Sequence, residues 1–79
     1  MARSIRIVLA DDHALVRAGI RALLERLVGA RVVAEAANGL EAVDQVRRTH
    51  PDVVLMDVSM PGLNGLDATA LLRREFPDL

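Results

Sequence analysis

The sequence predicts an α/β fold in which parallel strands alternate with helices. Three short apolar segments of strand type alternate with three amphipathic segments of helical spacing, in the order βαβαβα. This alternation favours a parallel sheet, because parallel neighbours need crossover connections, which are right-handed with few exceptions. Aspartates directly follow the first and third apolar segments, which predicts acidic side chains at the carboxyl edge of the sheet.

The first strand is predicted at residues 4–10, a branched apolar run that two aspartates end. A helix is predicted at residues 14–27, and Gly29 is placed where a glycine commonly ends a helix. Apolar residues recur in this helix at i, i+3 and i+4 spacing, so we expect them to face the sheet. They are Leu15, Val16, Ile20, Leu23, Leu24 and Leu27.

The second strand is predicted at residues 31–36, and Asn38 with Gly39 forms a turn or a helix cap. The second helix, residues 40–48, should turn Leu40, Val43 and Val46 inward. His50 and Pro51 are then predicted to end this helix. The third strand is predicted at residues 53–57, and the third helix at residues 66–75 follows a loop.

Composition excludes several classes of protein. A chain of 79 residues is one small domain or part of one, and 52% hydrophobic with 27% charged residues is a globular balance. The net charge of −1 and the scattered arginines do not form the basic patch that is typical of nucleic-acid-binding proteins. No apolar run is long enough to cross a membrane. Without Cys or Lys, the 79 residues have no disulfide, thiolate metal site or Schiff-base lysine. With no secretory signal, a cytoplasmic location is expected.

Three aspartates form the candidate site. Ligands of open α/β sheets bind beyond the carboxyl ends of the strands, where Asp11, Asp12 and Asp57 are predicted. If the first strand lies beside the third, the three carboxylates share one pocket, so either one carboxyl takes up a proton or a cation binds. An all-oxygen donor set favours Mg²⁺, and phosphoryl transfer to Asp57 is the chemistry that follows. Each aspartate alone also fits a structural role, and Asp12 could simply cap the helix.

Three segments resemble the receiver domain of two-component response regulators, most closely the LuxR/NarL-type subfamily: VLADDHALVRAGI, VVAEAANGLEAV and PDVVLMDVSMPGLNGLDAT. The resemblance covers essentially the whole chain. It implies a flavodoxin-like (CheY-like) sheet of order 2-1-3 with helices on both faces. It also implies a non-enzymatic signalling module that controls transcription.

The resemblance assigns roles to particular residues. Asp57 would accept the phosphoryl group from a sensor histidine kinase or a small phosphodonor. Asp12 would bind Mg²⁺ directly, Asp11 would assist, and the backbone carbonyl of Ser59 would supply a further ligand. Residues 60–62 match the loop that follows the phosphorylated strand, where proline restricts the residue before it to extended geometry.

The family pattern continues through two further strands, which supply a Ser or Thr and a Lys. We therefore expect residues 1–79 to be a partial receiver domain, with the DNA-binding output domain outside the chain. Phosphotransfer should be impaired in this piece. The third strand, central in the family fold, would become an edge strand that favours self-association or domain swapping.

Two alternatives remain open at the sequence level. A haloacid dehalogenase-like phosphatase also uses a strand-end Asp nucleophile with Mg²⁺, but its second acid corresponds here to Ser59. A pseudo-receiver that only binds proteins is the other alternative, although all three acids are present. His13 is expected mainly to face solvent at the start of the helix.

Overall fold

The computed structural model describes residues 4–60 and 62–79. Its elements are β1 Ile5–Ala10, α1 Ala14–Glu25, β2 Ala30–Ala36, α2 Gly39–Thr49, β3 Val53–Met56 and α3 Gly65–Glu75. The sheet has the order β2-β1-β3, and both strand pairs are parallel. The predicted fold class and strand order are therefore confirmed, whereas Pro61 of the predicted site loop lies outside the described residues.

The helices cover both faces of the sheet. Along the sheet, the step from β1 to β2 runs towards one edge, and the step from β2 to β3 runs back past β1 towards the other edge. Because both crossovers are right-handed, these opposite steps place α1 and α2 on opposite faces. Helix α3 packs against α2 and shares its face. None of the helices in the described part of the chain is long and apolar enough to span a membrane.

The core lies between the central strand β1 and the α2–α3 face. Val8 of β1 is fully buried and packs in one cluster with Val43, Val46, Ala68 and Leu72. A second cluster, Ala10, Ala36, Ala42 and Met60, lies nearer the carboxyl edge of the sheet. Because Ala10 is the last residue of β1, this second cluster supports the edge from which Asp11 and Asp12 project.

Helix α1 is shorter and less covered than its apolar spacing predicts. It ends at Glu25, and none of its residues is buried. Leu15 is 86% exposed and Leu23 is 64% exposed, whereas Ile20 and Leu24 are half-buried. The reason is that among the described residues only β1 and β2 make extensive contact with α1, so its apolar face is wider than the surface beneath it.

The inward prediction for Leu40 is wrong, because its side chain is 68% exposed. Helix α2 begins one residue earlier than predicted, at Gly39, with Asn38 as its N-cap. Its buried stripe follows i, i+3, i+4 and i+7 spacing from that residue: Gly39, Ala42, Val43 and Val46. Leu40 is displaced from this stripe by about 100° around the helix.

Candidate functional site

Two neighbouring strand ends carry the acidic residues. The backbone N–H of Asp57 donates to the Ala10 carbonyl at 2.9 Å, and that of Asp11 donates to the Ala36 carbonyl at 3.0 Å. Both parallel ladders therefore continue one residue beyond the strands. This extension fixes the backbone of Asp11 and Asp57 at the carboxyl edge, where the sheet geometry predicts a ligand site.

The structure brings the three predicted acids together and adds a histidine. Carboxylate oxygens of Asp11, Asp12 and Asp57 and a ring nitrogen of His13 all lie within 4.8 Å of one another. Asp11 is buried, Asp57 is half-buried, and Asp12 and His13 are exposed. The cluster is thus anchored on its sheet side and open to solvent on the other.

Like charges make this arrangement unfavourable without a cation. Two carboxylates within 4.8 Å of each other repel by roughly 3 kcal/mol or more at an effective dielectric constant of about 20. His13 Nδ1 lies 2.9 Å from Asp12 Oδ1 and 3.3 Å from Asp11 Oδ1. The three carboxylates give the oxygen-rich, partly open donor set that suits Mg²⁺, which retains water ligands. The residues present therefore fit the ion that the sequence predicts.

The turn between β1 and α1 is held by Asp11 rather than by Asp12. Asp11 Oδ1 accepts a hydrogen bond from the His13 backbone N–H at 2.8 Å. His13 is the N-cap residue of α1, and its side chain makes no capping hydrogen bond. The proposed capping role of Asp12 is therefore not observed, and its carboxylate contacts the ring of His13 in the acidic cluster.

Arg17 braces the same turn from helix α1. Its Nη1 donates to the Asp11 backbone carbonyl at 2.6 Å, and its Nε donates to Glu35 Oε1 of β2 at 3.0 Å. Glu35 also pairs with Arg21, whose pKa is raised mainly by its hydrogen bond to Glu25 and also by that to Glu35. Helical spacing alone puts Arg17 on the polar face of α1, opposite its apolar residues, and so does not predict these contacts. Its position one helical turn after His13 was the available signal.

The loop after β3 packs under Asp57. Ser59 donates its backbone N–H to Asp57 Oδ1 at 3.0 Å, which restricts the carboxylate, and Ser59 itself is exposed. Met60 is buried against Ala10 and Ala42 in the cluster beneath the site. This buried methionine holds the loop close to the end of β1.

An open cleft of about 460 Å³ lies between the α1 side of the sheet and the acidic edge. Its lining combines apolar residues of β1, β3 and α1 with two of the acids: Leu9, Ala10, Asp11, Ile20, Leu55, Met56 and Asp57. Asp57 is therefore accessible from solvent through this cleft.

The chain matches the family model described as the response regulator receiver domain over residues 7–79. It is 52% identical over 75 residues to the response regulator UvrY of Escherichia coli K12. The matched region covers 95% of this chain and 34% of UvrY. The chain thus spans about a third of the length of the curated relatives that it matches.

Solved structures show the same similarity. A two-component response regulator of the LuxR family from Aurantimonas sp. superimposes with a TM-score of 0.90 at 47% identity, over 94% of this chain and 53% of that chain. The response regulator RcsB of Salmonella typhimurium superimposes with a TM-score of 0.89 at 30% identity, over 98% of this chain and 40% of the RcsB chain. The RcsB structure was described in terms of DNA interaction.

Proposed function

The chain belongs to the response regulator receiver domain family, and on that premise we propose that it is a phosphoacceptor module, phosphorylated on Asp57 with Mg²⁺ bound beside it. The observation that carries this proposal is the convergence of three carboxylates from two adjacent strand ends within 4.8 Å. Such an arrangement is unfavourable as a purely structural feature and suits a cation with a phosphoryl group.

Asp57 is the proposed nucleophile. One of its carboxylate oxygens attacks the phosphorus atom, an acyl phosphate forms, and the bond from phosphorus to the donor's leaving group breaks. Ser59 holds Oδ1 through its backbone N–H, so the carboxylate is oriented before the donor arrives. The half-buried position leaves Asp57 accessible from the cleft described above.

The proposed ligands of Mg²⁺ are the carboxylates of Asp11, Asp12 and Asp57 and the backbone carbonyl of Ser59. When bound, the ion neutralises charge on the transferred phosphoryl group. Hydrogen bonds to Arg17 and to β2 fix the backbone of Asp11. The turn that carries Asp11 and Asp12 therefore needs little rearrangement of its backbone when an ion binds. Asp12 is exposed, so its carboxylate can turn towards an ion with little loss of packing.

The partners follow from the same proposal. A sensor histidine kinase in the cytoplasm donates the phosphoryl group from a phosphohistidine, and a small phosphodonor can replace it. DNA would be bound only by a LuxR-type output domain outside these 79 residues, in line with the DNA interaction described for RcsB. In this proposal residues 1–79 are part of a receiver domain, and the chain is a signalling module rather than an enzyme.

Phosphotransfer to the 79-residue chain should be slow. The family pattern places a lysine opposite the phosphoryl group, and these 79 residues include no lysine. Asp57 therefore carries out the transfer with less charge compensation than an intact receiver domain provides. A labelling rate equal to that of an intact receiver domain measured in parallel would contradict this part of the proposal.

The test is phosphorylation of the chain with excess acetyl phosphate, followed by intact-mass and peptide mass spectrometry. We expect a Mg²⁺-dependent gain of one phosphoryl group that maps to Asp57 and disappears in Asp57→Asn. Asp44→Asn is the matched control, since Asp44 is an exposed acid that pairs with Arg48 on α2. Labelling that survives Asp57→Asn would overturn the proposal. So would the absence of both labelling and a Mg²⁺-dependent response to beryllofluoride.

A further inference from the structure

We propose that His13 is a further ligand of the cation site and raises its affinity for transition cations such as Ni²⁺ and Zn²⁺ without raising its affinity for Mg²⁺. The inference rests on the cation site of the proposed function, but it does not require phosphorylation of Asp57. His13 is distinct from the acids in offering a nitrogen donor to the same cluster. Its role would be to set the relative affinities of the site for different divalent ions.

The geometry brings the His13 ring within range of a shared ion. Its Nδ1 lies 2.9 Å from Asp12 Oδ1 and 3.3 Å from Asp11 Oδ1. Ligand atoms on opposite sides of a transition cation are about 4.2 Å apart, because each lies about 2.1 Å from the metal. The four donor groups already lie within 4.8 Å of one another. Small side-chain movements therefore suffice to close them on one ion.

The backbone of His13 is fixed while its ring can adjust. The backbone N–H donates to Asp11 Oδ1 at 2.8 Å, and the carbonyl accepts from the Arg17 backbone N–H at 2.8 Å. The side chain is 67% exposed, so rotating the ring towards an ion disrupts little packing. His13 thus has the fixed attachment and the mobile donor that a ligand at the mouth of a site needs.

Ligand chemistry determines which of these affinities His13 raises. Mg²⁺ is a hard cation that takes oxygen ligands and water, so an imidazole adds little to its binding. Imidazole suits Ni²⁺ and Zn²⁺, which also bind mixed nitrogen and oxygen sites more tightly along the Irving–Williams order. His13 should therefore strengthen transition-cation binding without strengthening Mg²⁺ binding.

A purely electrostatic role for His13 makes the opposite prediction. If the ring only pairs with Asp11 and Asp12, its removal changes the charge around the site for every divalent cation. The affinities for Mg²⁺ and Ni²⁺ would then shift in the same direction and by similar factors. Selective loss of Ni²⁺ affinity distinguishes coordination from ion pairing.

The experiment is a pair of calorimetric titrations of the untagged chain with Ni²⁺ and with Mg²⁺ at one fixed pH. We expect His13→Asn to weaken Ni²⁺ binding by about 10-fold or more, since even the outer partners of metal ligands contribute that much. Mg²⁺ affinity should stay unchanged. His50→Asn is the matched control, because His50 is the other histidine of the chain and is exposed at the end of α2.

A second measurement is paramagnetic broadening by Ni²⁺ in NMR spectra, which should remove the His13 ring signals before those of His50. Equal loss of Ni²⁺ and Mg²⁺ affinity in His13→Asn, or no loss of Ni²⁺ affinity, would overturn the inference. If Asp57 is not phosphorylated but His13→Asn selectively weakens Ni²⁺ binding, the proposed function fails and the His13 inference stands. If Asp57 is phosphorylated but His13→Asn does not selectively weaken Ni²⁺ binding, the reverse holds.

Discussion

Gly65, the first residue of α3, lies directly against the main chain of Asp57. A Cβ atom on Gly65 would be 2.0 Å from the Asp57 carbonyl oxygen and 2.6 Å from the Val58 Cα. Both are backbone atoms, one of Asp57 itself and one of the residue that follows it. They cannot move aside as the end of a flexible side chain would. The close approach of α3 to the end of β3 therefore requires glycine at this position.

We expect Gly65→Ala to destabilise the fold and to displace the loop that carries Asp57 and Ser59. Overpacking of this kind typically costs about 1–3 kcal/mol, and a contact with rigid backbone belongs near the upper end. Urea denaturation would measure the loss, and amide NMR shifts of Asp57 and Ser59 would show the displacement.

Gly19 provides the comparison for that substitution. It lies within α1, and a Cβ there would meet nothing within 4 Å. Gly19→Ala should therefore stabilise the chain by roughly 0.5–1 kcal/mol, because glycine is a poor helix former. Equal urea midpoints for the two variants would refute the steric argument at Gly65.

Asn38 caps α2 with its side chain, and Glu41 adds a second hydrogen bond to the residue before the cap. Its Oδ1 accepts from the Glu41 backbone N–H at 2.8 Å, and Glu41 Oε2 accepts from the Ala37 backbone N–H at 2.7 Å. Asn38→Ala should cost about 1 kcal/mol of unfolding free energy, whereas Asn38→Ser should retain most of the stability. Chemical denaturation of the two variants checks this, and an Ala variant as stable as the Ser variant would contradict it.

The ion pair between Arg47 of α2 and Glu75 of α3 should make stability depend on acid pH. Arg47 Nε donates to Glu75 Oε2 at 2.9 Å, and a second contact joins Nη2 to Oε1. This hydrogen bonding lowers the pKa of Glu75 below its ordinary value of 4.5. A lowered pKa in the folded state means that the contribution is present above pH 4.5 and is lost as the pH falls through the folded pKa.

Arg47→Gln should return the Glu75 pKa towards 4.5 and reduce the dependence of stability on pH below that value. Since both side chains are exposed, the effect on stability is small and decreases with added salt. NMR titration of the Glu75 carboxyl group in the two proteins is the direct measurement. A Glu75 pKa that is unchanged by Arg47→Gln would show that the pair does not persist in solution.

Local patterns predicted the helix positions and placed Asp11, Asp12 and Asp57 at strand ends, because alternating segments and the ends of strands are visible in the chain. The strand order 2-1-3, on which the convergence of the three acids depends, was predicted only from the family resemblance. The exposure of Leu15 depends on which neighbours cover α1, and the contacts of His13 and Arg17 depend on the path of one turn. Periodicity carries no information on either, so helical spacing gave the wrong surroundings for Leu15 and did not indicate the contacts of His13 and Arg17.

The exposed edge of β3 predicts self-association. Among the described residues β3 pairs with β1 alone, and Val53 and Leu55 are 38% and 39% exposed. An open strand edge beside apolar side chains favours pairing with a second copy, so light scattering should show a mass that rises with concentration. Val53→Lys should lower that mass, because charge on an edge strand opposes pairing. Val28→Lys adds the same charge at a fully exposed turn residue and should leave association unchanged. A wild-type chain that stays monomeric at high concentration would contradict self-association through the edge of β3.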